Sequence, residues 1–156
     1  MNWDHEITFK VRTGTGDGML SQTAEYALRA VLTIAEEPGA QPVGAYRLAE
    51  TLGIPQNYLS KTLHQLARAG ILESTRGKLG GFSLARDARE ISLVEVVGLF
   101  DDVTGRRSCL MGRATCSDHN SCAAHRRWKG VSDRISEFFR ETSVADLVSE
   151  RRAARG

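Results

Sequence analysis

The three cysteines of this 156-residue chain lie in one short segment, which also contains a histidine. Six residues separate Cys109 from Cys116, five separate Cys116 from Cys122, and two separate Cys122 from His125. Their neighbours are mostly polar or small, whereas a buried structural cysteine is normally surrounded by valine, leucine and isoleucine. Because thiolate and imidazole bind zinc and the iron of iron-sulfur clusters, this spacing indicates a metal or cluster site.

The cysteine count, the amino terminus and the apolar runs of the chain predict its compartment and the redox state of its thiols. An odd number of cysteines argues against a disulfide framework, and the amino terminus lacks the apolar core of a secretion signal. No apolar run approaches the roughly 18 to 20 residues that a membrane-spanning helix needs. We therefore expect a soluble cytoplasmic protein with reduced thiols and no membrane partner. Residues 1–18 end in a glycine- and threonine-rich stretch, which predicts a flexible leader, either a tag or a native extension.

Three thiolates leave one ligand to be found, because the common cluster types take four protein ligands. His125 is the nearest candidate, since it begins a predicted helix and its ring can point back into the cysteine segment. His119 lies between two of the cysteines, although we expect it to be a solvent-exposed loop residue. Three cysteines and one histidine are also a standard set for structural zinc, so these residues alone leave zinc and a cluster both open.

The elements that surround this segment begin with a helix-turn-helix pattern. Apolar residues spaced by three and four predict helices that start near Ser21, Tyr46 and Pro55. Gly53 separates the second helix from the third, and Gly70 is predicted to cap the third. The third helix could lie in the major groove, where amides pair with adenine and basic groups with guanine or phosphate. Its predicted DNA-contacting residues are Gln56, Asn57, Ser60, Lys61 and His64, with Arg68 on the same face.

A glycine-rich hairpin is predicted to follow as a wing. Residues 71–76 and 82–84 have the pattern of two strands, and the loop between them contains three glycines. Glycines there permit positive φ and a close approach of the backbone to a partner. Arg76, Gly77 and Lys78 are predicted to contact DNA, because a narrow minor groove attracts basic side chains. The loop lacks the GxxxxGK[ST] pattern of a nucleotide-binding loop.

The charge distribution also favours a nucleic-acid partner over catalysis. The net charge is only +2, but basic residues outnumber acidic ones between residues 53 and 90. The cysteines do not form the CxxC pair of a thiol oxidoreductase, and no nucleophile with an adjacent base is visible. We therefore predict that the protein is not an enzyme.

The second half of the chain contains a connecting helix, the cysteine segment and a long helix. Ser92 and Glu95 have the spacing of a capping box, which predicts the start of the connecting helix. Val131, Ile135 and Phe138 form an apolar stripe on the long helix, which indicates either a dimer interface or packing on the protein's own core. The predicted divisions are a leader at 1–18, a DNA-binding domain at 19–90, a connecting helix at 91–107, a cysteine-rich segment at 108–125, a dimerisation helix at 123–142, and a short helix with a frayed tail at 143–156.

Taken together, these features resemble the Rrf2 family of winged-helix regulators, whose branches include IscR, NsrR and RirA. The resemblance extends from about Met19 to Val148. It is carried by the motifs YALRA at 26–30, YLSKTL at 58–63 and RGKLGGF at 76–82, and by the cysteine segment before a long helix. It implies a mainly α fold: a winged helix-turn-helix domain with a small β-hairpin wing, plus a long C-terminal dimerisation helix. It further implies a homodimer that reads double-stranded promoter DNA and responds to iron, redox or nitric oxide status.

The same resemblance implies a set of cluster ligands. In family members that carry a cluster, the three cysteines match Cys109, Cys116 and Cys122, and in the IscR branch a histidine matches His125. In NsrR-like members a carboxylate at the position of Glu25 comes from the other subunit. The first cysteine spacing is one residue longer than in the IscR branch and one shorter than in RirA, which leaves 2Fe-2S and 4Fe-4S both open. A regulator with structural zinc, or without cluster sensing, is the alternative.

Overall fold

Among the residues that the structure describes, the fold contains six α-helices and one two-stranded hairpin, which confirms the predicted fold class. The computed structural model describes residues 19–104, 110–111 and 117–156, so Cys109, Cys116 and the leader lie outside the described residues. The elements in chain order are α1 (Gln22–Ala35), α2 (Ala45–Leu52), α3 (Gln56–Arg68), β1 (Leu72–Thr75), β2 (Gly81–Leu84), α4 (Leu93–Val97), α5 (His125–Glu141) and α6 (Val144–Arg155). Short 3-10 turns occupy Pro38–Ala40, Ala88–Glu90 and Asp118–Asn120.

Helix α1 is the centre of the core. Ser21 caps it, since the Ser21 hydroxyl accepts a hydrogen bond from the Ala24 amide at 3.2 Å. Ala24, Ala27 and Ala30 are fully buried, and such small side chains allow neighbouring helices to approach closely. Helices α2, α3, α4 and α6 and strand β2 all pack against α1. The helix-turn-helix, the wing and the C-terminal half therefore share one core.

The helix-turn-helix forms as predicted. Gly53 ends α2 with a φ of 65°, a left-handed conformation that glycine adopts without a steric penalty. Pro55 was predicted at the first helical position of α3. In the structure it is the N-terminal cap, one residue before α3 begins. Leu59, Leu63 and Leu66 of α3 are fully buried, so the opposite side of α3 faces outward.

The wing is fastened to the core by a backbone bridge. Strands β1 and β2 are antiparallel, with Leu72 opposite Leu84 and Thr75 opposite Gly81. Val43, which precedes α2, forms an isolated bridge with Phe82 of β2, in which the two residues exchange both backbone hydrogen bonds at 2.9 Å.

The C-terminal helices close the bundle. The capping box at the start of α4 is confirmed, with Ser92 and Glu95 each capping the other's backbone amide. The junction of α5 and α6 is joined to this cap, because the Leu93 amide donates to Thr142 at 2.9 Å and the Val144 amide to Ile91 at 2.8 Å. None of the helices among the described residues is long and apolar enough to cross a membrane.

The predicted frayed tail is wrong. Helix α6 continues through Arg155, within one residue of the end of the chain. Glu36, at the C-terminal end of α1, explains part of this order, since its carboxylate lies 3.5 Å from Arg151 and 3.8 Å from Arg155. Buried Val144 and Val148 hold the first half of the helix.

Candidate DNA-binding surface and metal-binding segment

The outward side of α3 carries the predicted DNA-contacting residues. Gln56, Asn57, Lys61 and His64 are exposed, and Ser60 is half-buried. They share one side of the helix because the leucines at three- and four-residue spacing turn the other side inward. The side chains that could pair with bases therefore face the exterior together.

Tyr58 lies at the edge of this surface and holds α3 to the start of α1. Its hydroxyl is hydrogen-bonded to the Thr23 hydroxyl, and its ring packs edge-on against Tyr26 with centroids 5.7 Å apart. The side chain is nevertheless partly exposed. No individual role was predicted for Tyr58, although a tyrosine among polar residues on an exposed helix face is a signal that indicates one.

His64 connects the recognition helix to the wing. Its ring lies edge-on to Phe82 of β2, with centroids 5.4 Å apart. Behind it, a groove of about 670 Å³ opens between α3 and β1, lined by His64, Ala67, Arg68, Leu72, Glu73, Ser74 and Ala85. His64 was predicted only as a DNA contact, whereas the structure also gives it a packing role.

The wing tip is exposed, basic at two positions and apolar at one. Arg76, Gly77 and Lys78 are all exposed, and Leu79 is 89% exposed. The Gly80 amide closes the turn on the Gly77 carbonyl at 3.0 Å. No role was predicted for Leu79, although a leucine between lysine and glycine at a hairpin tip is expected to be exposed.

Two of the three wing glycines are required by close contacts with the chain's own backbone. A Cβ at Gly80 would lie 2.2 Å from the Thr75 carbonyl oxygen, and one at Gly81 would lie 2.4 Å from the backbone of Val43. A Cβ at Gly77 would meet nothing within 4 Å, although its φ of 107° still favours glycine. Only Gly77 keeps the predicted freedom to approach DNA closely.

In the described part of the cysteine segment, Cys122 and His125 lie close together at the start of α5. Cys122 is a free, half-buried thiol. His125 is the first residue of α5 and is 7% exposed, and its amide donates to the Cys122 carbonyl at 3.0 Å. This short turn fixes the two candidate ligands relative to each other.

Asp118 joins His125 and Lys129 and was not foreseen as part of the site. Its Oδ1 lies 2.8 Å from His125 Nε2, and its Oδ2 lies 3.0 Å from Lys129 Nζ. The hydrogen bond from His125, followed by that from Lys129, lowers the pKa of Asp118 to about 2. The four-residue spacing of His125 and Lys129 puts both on one helix face, but it does not indicate that Asp118 contacts them.

The other two candidate ligands have separate surroundings. Glu25 lies in the first turn of α1, and its partly exposed carboxylate is 3.9 Å from Arg29 of the same helix. His119 is exposed, as expected, and its amide donates to the Ser117 hydroxyl at 3.1 Å. Among the described residues, no group of three or more histidine, cysteine, aspartate or glutamate side chains forms a metal site.

The apolar stripe on α5 divides between the core and the exterior. Val131 and Phe138 are each 49% exposed. Ile135 is partly buried and packs against the hydrophobic core of its own chain. The residue that anchors α5 most deeply is Phe139, which is 4% exposed and was not included in the predicted stripe.

Known proteins resemble this chain along most of its length. The family profile described as "Rrf2: Iron-dependent Transcriptional regulator" matches residues 20–150. The HTH-type transcriptional regulator IscR of Photorhabdus laumondii is 33% identical over 83% of this chain and 79% of its own length. The protein of the same name in Escherichia coli (strain K12 / DH10B) is 31% identical over 83% of this chain and 80% of its own length.

Solved structures share the fold. The structure of CymR (YrzC), described as the global cysteine regulator of B. subtilis, aligns with a TM-score of 0.72 at 21% identity, covering 84% of this chain and 96% of that one. The structure of T. potens IscR aligns with a TM-score of 0.70 at 23% identity, covering 90% of this chain and 93% of that one.

Proposed function

We propose that this chain, which belongs to the Rrf2 family of transcriptional regulators, binds promoter DNA as a homodimer and responds to an iron-sulfur cluster held by its cysteine segment. The family consists of transcriptional regulators, so the chain is a regulator and not an enzyme. What carries the DNA-binding proposal is the outward polar side of α3, directly beside an exposed basic wing.

The proposed DNA interface combines groove reading by α3 with contacts from the wing. Helix α3 would lie in the major groove, where amides and basic groups can distinguish bases. The wing would reach the adjacent minor groove or the phosphates. The proposed contacts are Gln56, Asn57, Ser60, Lys61 and His64 on α3, with Arg76, Gly77 and Lys78 in the wing. Two copies would read half-sites about 34 Å apart or a multiple of this, as dimeric helix-turn-helix geometry requires.

The proposed cluster ligands are Cys109, Cys116, Cys122 and His125. Support comes from the donor chemistry, since thiolate and imidazole suit iron, and from the turn that fixes Cys122 next to His125. Glu25 of a second copy is the alternative fourth ligand, and its partial exposure leaves it accessible to another chain. Oxidation or loss of the bound cluster would change the conformation of the segment that joins the proposed DNA-binding domain to α5.

Structural zinc is the second candidate for the same donors, because three cysteines and a histidine form a closed tetrahedral set. The fold itself does not decide the effector. Structures described as a cysteine regulator and as an IscR protein match this chain with nearly the same TM-score. The donor set, and not the architecture, is therefore what favours a cluster.

Anaerobic purification of the full chain tests the cofactor. We expect a coloured protein that contains iron and acid-labile sulfide, and a Cys122→Ser variant that retains little of either. Fluorescence anisotropy with labelled promoter DNA should then give different affinities with and without the cluster. A colourless protein with one zinc per chain, or one DNA affinity in both states, would contradict cluster sensing. The zinc outcome would leave the DNA-binding proposal intact.

A further inference from the structure

The tip of the wing carries a leucine that its own chain leaves uncovered. Leu79 is 89% exposed, more than any other large apolar side chain among the described residues. Lys78 and Leu79 are the two central residues of the turn that the Gly80 amide closes on the Gly77 carbonyl at 3.0 Å. A single exposed leucine is common on protein surfaces, so its meaning depends on what surrounds it.

The turn is held in a fixed position relative to α3. A Cβ at Gly80 would lie 2.2 Å from the Thr75 carbonyl oxygen, so the backbone on the two sides of the turn is in close contact. Phe82 exchanges two backbone hydrogen bonds with Val43, and its ring packs edge-on against His64 of α3. A side chain at the tip therefore projects from an ordered support, and little backbone entropy is lost when it contacts a partner.

The charges around this leucine indicate that the partner is a polyanion. Arg76 and Lys78 are exposed, and neither forms an ion pair among the described residues. Glu73 is the one carboxylate between residues 72 and 84, and it lines the groove between α3 and β1. The centre of a protein interface is normally depleted of charged residues, lysine among them. A DNA duplex instead offers phosphates to the cations, and sugars and bases to the leucine.

We infer that Leu79 is an apolar wedge, which enters the minor groove beside the half-site read by α3 and partly unstacks a base step there. The inference rests on the proposed function, since it requires α3 in the neighbouring major groove. Leucine is among the side chains that minor-groove proteins insert between base steps, and such insertion kinks the duplex by about 20 to 90°. Pyrimidine–purine steps unstack most easily, so Leu79 selects TA or CA/TG where no hydrogen bond reads a base.

Two properties distinguish a wedge from a basic contact in the same loop. Loss of the Lys78 charge from a phosphate contact reduces the salt dependence of binding, by about one in the logarithmic slope. Truncation of Leu79 releases no phosphate, so the salt slope stays the same while the kink and the step preference are lost. Exposure of the apolar surface that the leucine buried lowers the affinity by about 10-fold.

The test starts from DNA that the protein itself selects. The full-length wild type, purified anaerobically, selects duplexes from a random-sequence library, and the consensus duplex is the probe for all later measurements. Energy transfer between dyes at its two ends measures the bend, and 2-aminopurine beside the half-site reports unstacking as a rise in fluorescence. The variants are Leu79→Ala, Leu79→Met, Lys78→Ala and Leu99→Ala, and the selection is repeated with Leu79→Ala. Leu99→Ala is the matched control, because it truncates an exposed leucine outside the proposed DNA interface.

We expect the wild type to bend the probe and to raise its fluorescence. Leu79→Ala should keep its circular dichroism spectrum and salt slope, bind about 10-fold more weakly, and lose the bend, the fluorescence rise and the step preference. Leu79→Met should retain most of these effects, since methionine also acts as a wedge. Lys78→Ala should show the reduced salt slope, and Leu99→Ala should match the wild type.

Two results would overturn the inference while the DNA-binding proposal stands. One is a straight duplex in the wild-type complex, and the other is a Leu79→Ala protein with the wild-type bend and step preference. A changed sedimentation coefficient in that second case would assign the wing tip to a contact with another protein chain. A wild type that selects no sequence from the library would overturn both the inference and the DNA-binding proposal.

Discussion

At the scale of single residues, the proposed DNA interface consists of side chains whose orientation is set by residues that do not face the DNA. Lys61 is exposed because Leu59 and Leu63 are buried on the other side of α3. Arg76 is exposed because a turn closed by Gly77 and Gly80 places it at the base of the wing tip. Substitution of the exposed members should therefore change binding without changing the fold.

Lys61→Ala and Arg76→Ala should each weaken promoter binding. The loss should be about 1 to 3 kcal/mol for a side chain that contacts a base, whereas a phosphate contact would weaken binding to all sequences and reduce the salt slope by about one. Anisotropy titrations at several salt concentrations measure both quantities. Arg152→Ala, at an exposed position on α6, is the control and should bind normally. Normal affinity in both test variants, with an intact fold, would remove this surface from the interface.

Gly81→Ala should destabilise the protein through its own backbone. The glycine has a φ of 152°, and a Cβ there would lie 2.4 Å from the Val43 carbonyl group, so the bridge that fastens the wing must shift. A strained conformation of this kind costs about 1 to 3 kcal/mol, which urea unfolding would measure. Gly130→Ala, in α5 with nothing within 4 Å of its new Cβ, is the matched control and should be neutral or slightly stabilising. Equal stability of both variants would contradict the bridge's importance.

At the scale of elements, short polar caps connect the two halves of the chain. Glu95 caps the start of α4 through the Ser92 amide at 2.9 Å and also accepts a hydrogen bond from Arg86 at 2.5 Å. Arg86 in turn donates to the Glu90 carbonyl at 2.8 Å. One carboxylate thus ties α4 to the segment that follows the wing.

Glu95 should make the stability of the protein depend on pH. Partial burial raises the pKa of Glu95, but the hydrogen bonds from Arg86 and Ser92 outweigh it and leave this pKa below its ordinary value. A lowered folded-state pKa stabilises the protein above the unfolded pKa of about 4.3, and this contribution is lost as the pH falls through the folded value. Glu95→Gln keeps the shape of the cap but removes the charge.

The urea midpoint of Glu95→Gln should therefore fall less steeply than that of the wild type between about pH 5 and pH 3. Glu50→Gln, an exposed glutamate of α2, is the control and should follow the wild type. Parallel curves for all three proteins would show that the Arg86 contact contributes nothing measurable.

At the scale of the whole molecule, the exposed part of the α5 stripe is the surface on which a second copy is proposed to pack. Val131 and Phe138 are each 49% exposed, and large apolar side chains in this arrangement favour association. Ile135 packs on the core of its own chain, so a charge there would disturb the fold as well as any interface. Phe138 is the better site for a test.

Phe138→Glu should convert the proposed dimer to a folded monomer. Sedimentation measures the mass, and circular dichroism with urea unfolding verifies that the fold is retained. Ile135→Glu is the comparison variant and should lose stability by several kcal/mol, because it buries a charge without a partner. A Phe138→Glu protein that remains a dimer would show that the subunits associate through another surface. The affinity for promoter DNA should be lower for the monomer than for the dimer, since each subunit then binds a half-site independently.

The sequence by itself determined the local features. Ser21 begins α1, and Gly53 and Gly70 follow the ends of α2 and α3, as the pattern predicted, because capping and left-handed glycine turns depend on neighbouring residues only. The outward face of α3 followed from leucine spacing for the same reason. The donor chemistry of the cysteine segment was also readable, since it depends on residue types and short separations.

The tertiary structure decided what depends on distant contacts. Apolar spacing on α5 could not distinguish buried Phe139 from exposed Phe138, because the phase of a helix is set by the surface on which it packs. Helix α6 extends to Arg155 where a tail was predicted, because Arg151 and Arg155 lie close to the carboxylate of Glu36 in α1. Glu36 lies more than one hundred residues earlier in the chain, so the sequence pattern did not indicate this contact. Asp118 became a partner of His125 only when a turn brought a carboxylate against the start of α5, a meeting that side-chain types alone do not encode.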